Sequence, residues 1–311
     1  MLPKIIKRNS SAFSLIELSI VILIIGILIA GVTSGSALIK KFKISTARTL
    51  TESSPVNSIR DIAFWYETSQ ESNTISVTNN DSPSDADSIN KWNDYSPASQ
   101  LKINSTIQTS ADNQPKYKQN AINGLPALSF DGNDFLEIPK NNFTQNFTLL
   151  AVIKTSVQGA SSGGNPFRSA NPIVGSATNE CNSDIAPLSV GEGTLLIGAS
   201  GGFGCPSTIL RGTTNVSDDK PHIVVSSRNS GNGQLRLYVD GIDNGATGTT
   251  GNVVGALTSK TVARIGASDD GANFWTGYIA EVIVFEKLLT NDERKSIESY
   301  LSKKWAIQVS N

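Results

Sequence analysis

The feature that most constrains this chain is its apolar N-terminal stretch: from Phe13 to Ala37 a single ionisable residue, Glu17, interrupts uncharged sequence. Between Leu18 and Ala30 the only polar side chain is Ser19. About twenty apolar helical residues cross a hydrocarbon layer, so the stretch predicts a membrane-length helix. Lys4, Lys7 and Arg8 precede it. A basic segment ahead of an apolar one also fits a cleaved secretory signal. Two features weigh against that reading: an acid sits inside the apolar part, and helix-compatible sequence continues beyond it. Leu38, Ile39, Phe42, Ile44 and Leu50 fall loosely along one side of a continuing helix. Pro55 disfavours helical geometry at the residue before it, which sets the predicted helix at about Phe13 to Thr51. Gly26, Gly31 and Gly35 fit either close helix contacts or simple flexibility. Lys40, Lys41 and Lys43 balance the basic residues upstream, so charge alone does not orient the segment. A carboxylate at the membrane midplane costs roughly 2.5 to 3.5 kcal/mol, so Glu17 calls for a shallow position or a cationic partner.

Beyond Ile59 the pattern changes to short apolar runs separated by Gly, Asn, Asp, Ser and Pro. This predicts a mainly β region, with strands over Phe147–Thr155, Thr194–Ser200, His222–Arg228, Gln234–Asp240, Lys260–Gly266 and Gly277–Phe285. Asn229 to Gly233 between two of these is a hairpin connection. Leu235, Leu237 and Val239 share one face of their strand, and Arg236 and Tyr238 the other. Gly277–Phe285 is apolar on both faces, with Ala280, Val282 and Val284 opposing Ile279, Ile283 and Phe285, as befits a central strand. Thr68 to Ser88 is polar enough to predict a surface loop. Near the end, Thr290 and Glu293 have capping-box spacing, and Ile297, Tyr300, Leu301 and Trp305 form a helical stripe that predicts packing on the β layers. Of 311 residues 38% are hydrophobic, enough for a core, while 17% are charged with net charge -1. No basic run is present, which argues against nucleic acid as a partner.

Ala12-Phe13-Ser14-Leu15-Ile16-Glu17-Leu18 resembles the prepilin cleavage and methylation motif of type IV pilins and the pseudopilins of type II secretion. The resemblance implies cleavage between Ala12 and Phe13, methylation of the new amine, and Glu17 as the fifth mature residue, an assembly acid paired with a neighbouring subunit's terminal amine. Ala12 stands where that family normally has Gly. The domains this implies are a leader at 1–12, a transmembrane and filament-packing helix at 13–52 and a sandwich at 53–311. It also implies a prepilin peptidase and methyltransferase, other pilin subunits and the inner membrane as partners, with a single-pass anchor and a periplasmic or extracellular domain in a pilus or secretion pseudopilus.

Ala63-Phe64-Trp65-Tyr66, Lys91-Trp92-Asn93-Asp94, Asn123 to Gly132, Leu237-Tyr238-Val239-Asp240-Gly241, Gly277 to Val282 and Ser299 to Trp305 resemble, in that order, the LamG-like jelly-roll domains of the concanavalin A-like lectin and glucanase superfamily. That implies a single jelly-roll sandwich able to bind sugar or protein. No cofactor is expected. Calcium at loop edges would use acids such as Asp131, Asp134, Asp240, Asp243, Asp269 and Asp270, although ordinary turn geometry explains these equally. For Trp92 and Trp275, sugar stacking and core burial are both open. In an oxidising periplasm Cys181 and Cys205 are expected to form a disulfide worth roughly 3 to 4 kcal/mol, with two separate thiols as the alternative. A glycoside hydrolase needs two carboxyls facing one groove. Glu281 and Glu286 are separated by apolar residues and do not supply that pattern, and His222, the only histidine, lacks a supporting triad signal. The sequence therefore reads as a non-enzymatic minor pilin or pseudopilin displaying a lectin-like domain. A membrane-anchored lectin that never polymerises and an anchored glycanase are the alternatives.

Overall fold

The computed structural model describes residues 15–71, 74–77, 83–97, 105–160, 169–176, 184–201, 208–249, 253–257 and 262–310, with backbone alone at 30–34, 37 and 246–249. The chain divides into two units, residues 1–45 and 46–311. Helix α1, Leu15–Glu52, has 38 residues and is about 57 Å long at 1.5 Å per residue. It ends where Asn57 Nδ2 caps the Glu52 and Thr51 carbonyls at 2.9 and 3.3 Å. Pro55 then opens a short 3-10 turn whose first free amide, on Val56, is held by Ser54 Oγ.

The strands that follow are β1 (Ile62–Glu67), β2 (Ile75–Ser76), β3 (Lys91–Trp92), β4 (Thr106–Ile107), β5 (Lys116–Ile122), β6 (Leu125–Asp131), β7 (Leu136–Ile138), β8 (Phe147–Lys154) and β9 (Asn171–Ser176), then β10 (Ile185–Gly191), β11 (Thr194–Ala199), β12 (Thr208–Gly212), β13 (Pro221–Arg228), β14 (Leu235–Val239), β15 (Ile242–Asp243), β16 (Gly245–Thr249), β17 (Ala263–Ile265) and β18 (Thr276–Phe285). They form two antiparallel sheets packed as a sandwich. The eight-stranded sheet is ordered β15-β14-β13-β8-β18-β6-β5, with β1 also on β18; the ten-stranded sheet is ordered β16-β12-β11-β10-β9-β17-β7-β4-β3-β2. Alternate residues of both meet in one core, among them Phe64, Tyr66, Leu149, Ile153 and Val284 from the first sheet and Leu188, Val190, Ile197 and Ile265 from the second. Asn123-Gly124 and Asp240-Gly241 both carry positive φ, as two-residue hairpin turns require.

Helix α2, Asn291–Trp305, starts at the predicted capping box: Thr290 Oγ1 accepts from the Glu293 amide and Glu293 Oε2 accepts from the Thr290 amide. Its stripe of Ile297, Tyr300, Leu301 and Trp305 is buried. β18 is central, as its two apolar faces predict, but its faces differ from simple alternation. A register shift between Ile279 and Glu281 puts Ile279 into the core with Val282 and Val284. The predicted surface loop from Thr68 is also corrected, because Thr68, Ser69 and Thr74 are fully buried and Ile75 pairs as a strand. The cause is the Glu67 carboxylate, which folds the chain inward by accepting from the Ser69 and Gln70 amides.

Candidate functional site

Ala12 and Phe13 lie outside the described residues, as do Cys181 and Cys205. Glu17 is in the first turn of α1 and is exposed. Around it the helix is apolar on every side, with Leu15, Ile16, Leu18, Ile22, Leu23 and Ile27 all more than half exposed. A helix of that character needs an apolar surrounding, whether lipid or other helices. Among the described residues no helix is long and apolar enough to cross a membrane.

The last turns of α1 belong to the sandwich unit. Ala47 and Thr51 are buried, and Thr51 Oγ1 lies 3.3 Å from the Tyr300 hydroxyl. Arg48 donates from Nε to the Ser69 carbonyl at 2.9 Å and pairs with Glu71 at 3.2 Å. Behind Thr51 lies a knot of charge with no solvent exposure. Lys304 Nζ is 2.8 Å from Glu67 Oε2 and 2.9 Å from Glu281 Oε2. Glu281 also accepts from Trp65 Nε1, Tyr300 OH and Trp305 Nε1, each at 2.7 Å. Glu67 takes the Ser69 hydroxyl at 2.6 Å together with the Ser69 and Gln70 amides. Burial would depress the Lys304 ammonium, but the two carboxylates hold it above its usual range. Burial and the same carboxylates push the Tyr300 hydroxyl well up. Buried ions are tolerated only when paired and hydrogen-bonded, and here both carboxylates are. Glu281 therefore fastens β18 to α2 and β1 and is closed to any substrate.

The remaining candidates are scattered. Trp92 and Trp275 are fully buried, so neither stacks on an external sugar. Glu286 is at the end of β18, where burial would raise its carboxyl but hydrogen bonds from Lys140 and Asn142 lower it. Among the acids, Asp134 accepts from the Asp131 amide at 2.9 Å and is raised to about 7, mainly by burial. Asp240 holds His222 and the Ile223 amide. Asp243 faces Arg236 at 3.7 Å, and Asp270 accepts from Ser268 Oγ and the Ala272 amide within the turn that also contains Asp269. Among the described residues no group of three or more His, Cys, Asp or Glu side chains is arranged to hold a metal. His222 has Nδ1 2.7 Å from Asp240 and Nε2 3.1 Å from Asp218. Burial alone would lower the imidazole; the carboxylates raise it, while Asp218 is drawn down to about 2 against its own burial. Both ring nitrogens are thus occupied, leaving none to activate a hydroxyl.

Sequence reasoning missed Glu67, Lys304 and Arg228. The fully buried Arg228 guanidinium donates to the carbonyls of Gln145, Val253 and Gly255, tying two loops to β13. The available signal was an ionic residue inside an apolar strand, as at Glu281, which demands an enclosed partner.

Residues 7–33 match the model of the prokaryotic N-terminal methylation motif, and residues 130–293 match that of the concanavalin A-like lectin/glucanases superfamily. No curated protein matches the chain. Among solved structures, it is similar to Trypanosoma rangeli sialidase in complex with sialic acid, with 15% identity and a TM-score of 0.49 over 89% of this chain. The match spans only 40% of the length of that sialidase. The carbohydrate-binding module of the Ruminococcus gnavus IT-sialidase bound to α2,3-sialyllactose is similar at 12% identity and a TM-score of 0.41, over 54% of this chain and 92% of that one. Domains LG4-5 of the mouse laminin α1 chain are similar at 17% identity and a TM-score of 0.40, over 63% of this chain and 48% of that one. With more than half its length matched by the superfamily model, and with the two-sheet sandwich that model implies, this chain belongs to the concanavalin A-like lectin/glucanases superfamily.

Proposed function

We propose that this protein is a type IV pilin-like or pseudopilin-like subunit that carries a carbohydrate-binding sandwich to the cell surface. The observation that carries the reading is the methylation motif at residues 7–33 with its acid, Glu17, in the first turn of a long helix whose apolar side chains are exposed all round. In this reading a prepilin peptidase removes residues 1–12 and methylates Phe13. The apolar end anchors the protein at the inner membrane until assembly. Glu17 then meets the terminal amine of a neighbouring subunit, where loss of hydration makes the pair selective for one axial register. A sandwich of this bulk suits a minor or tip position, displaying the domain for adhesion to a glycan or surface protein. The role is structural and adhesive, not catalytic.

The test is incorporation of the full-length protein into sheared surface fibres. Glu17→Ala is expected to lower its amount in the fibre fraction at least tenfold while the cell-bound amount is kept. Undiminished incorporation would refute assembly through Glu17. Absence of the unsubstituted protein from fibres would favour the non-polymerising anchored lectin.

A further inference from the structure

The outward face of the eight-stranded sheet carries a cleft of about 300 Å³ between β13, β14 and the start of α2. Its floor follows from strand register. Ser227 pairs with Arg236 and Val225 with Tyr238, and because Leu235, Leu237 and Val239 point into the core, Arg236 and Tyr238 point out. Asn291 and Arg294 of α2 line it as well, together with Gln234. No Asp or Glu is among the lining residues.

The two guanidiniums are held differently. Arg294 is nine-tenths buried, lies 3.9 Å over the Tyr238 ring and gives Nη1 to Glu298 Oε2. Its Nε is buried without a hydrogen-bond partner, as is Glu298 Oε1. Burial raises the Glu298 carboxyl in spite of Arg294. Arg236 is 48% exposed and reaches Asp243 only at 3.7 Å, a loose surface pair that an incoming anion can replace. One buried and one half-exposed guanidinium suit a planar carboxylate, which accepts parallel hydrogen bonds. The Ser227 hydroxyl and the amides of Gln234 and Asn291 offer both donors and acceptors, the combination that alcohol groups need. The volume is at the lower end of the ~300–1,000 Å³ typical of ligand pockets, which suits one ring and not a chain.

We propose that this cleft is the binding site for a sugar bearing a carboxylate, its acid held by Arg236 and Arg294 and its hydroxyls by Ser227, Gln234 and Asn291. The inference rests on the lectin half of the proposed function and gives it a ligand class and a place.

The test is calorimetry and saturation-transfer NMR on the full chain in detergent, with galacturonate, glucuronate and N-acetylneuraminate against galactose, glucose and inorganic phosphate. At least one acidic sugar is expected to bind tenfold or more tightly than the uncharged sugars, a difference of about 1.4 kcal/mol. Arg236→Gln is expected to remove that advantage with the thermal midpoint unchanged, whereas Lys140→Ala, at the separate amide-lined cleft around Asn142, leaves it intact. Failure of all three acidic sugars to bind would overturn the site. So would retention of acidic-sugar binding by Arg236→Gln, although a lectin activity elsewhere would then survive. Equal competition by phosphate would reduce the cleft to an ion site and also refute the proposal. Glu17-dependent fibre incorporation is read independently of every one of these outcomes.

Discussion

Replacing Lys304 with Met tests whether the buried knot holds the end of α1, β1, β18 and α2 together. The ammonium makes ion pairs at 2.8 and 2.9 Å and a hydrogen bond to Tyr300 at 3.2 Å, all without solvent exposure. Met keeps an unbranched apolar stem but lacks the ammonium, which leaves the carboxylates of Glu67 and Glu281 buried without a cation. Removing one partner of a buried pair costs about 3 to 5 kcal/mol. For a domain of this size 1 kcal/mol moves the midpoint by roughly 2 to 4 °C, so a fall of about 6 to 20 °C is expected. Thermal unfolding of the full chain by circular dichroism at pH 7 measures it. The pH dependence follows from the direction of the Lys304 shift. A raised pKa stabilises fully below the ordinary lysine value and is lost only as pH climbs through the raised one, so wild type is expected to show no loss from this group between pH 6 and 9. Adding Glu67→Gln to Lys304→Met should recover part of the loss, since one buried charge is then removed. A midpoint within about 1 °C of wild type for Lys304→Met would refute the assignment of the knot as a fastening.

Two further substitutions probe separate parts of the sandwich. His222 is stabilised in its protonated form, so its contribution is fully present below pH 6.5 and is lost as pH rises through its raised pKa. The midpoint difference between wild type and His222→Gln should therefore shrink between pH 6 and 9, and a difference that grows with pH would contradict the Asp218 and Asp240 pairing. Thr290→Ala removes one half of the capping box of α2 and is expected to cost about 1 kcal/mol, whereas Thr290→Ser should cost almost nothing. Chemical denaturation measures both.

The two-sheet fold was legible where local chemistry decides it. Alternation along Leu235 to Val239, the capping box at Thr290 and the stripe ending in Trp305 all read directly as strand face, helix start and packing surface. The Asn123-Gly124 and Asp240-Gly241 turns are equally local, because positive φ at two adjacent residues is the property of the residues themselves. What was not legible depends on partners remote in the chain. Lys304 meets Glu67 across 237 positions and Trp65 meets Glu281 across 216, so neither pair leaves a spacing to read. The segment holding the buried Thr68, Ser69, Gln70 and Thr74 looked like a loop because these residues are polar. Ser69 and the Gln70 amide satisfy the buried Glu67 carboxylate, a role that composition does not reveal. The cleft of Arg236 and Arg294 is an intermediate case: strand alternation pointed Arg236 outward, but only the docking of α2 brings Arg294 beside it.

The most direct test of the account is the intact mass and N-terminal sequence of the protein purified from cells with and without their prepilin peptidase. The account predicts a mature chain starting at N-methylated Phe13 in the first case and retention of residues 1–12 in the second. A chain that keeps Met1 despite the peptidase, or one that begins beyond the apolar stretch, would contradict it.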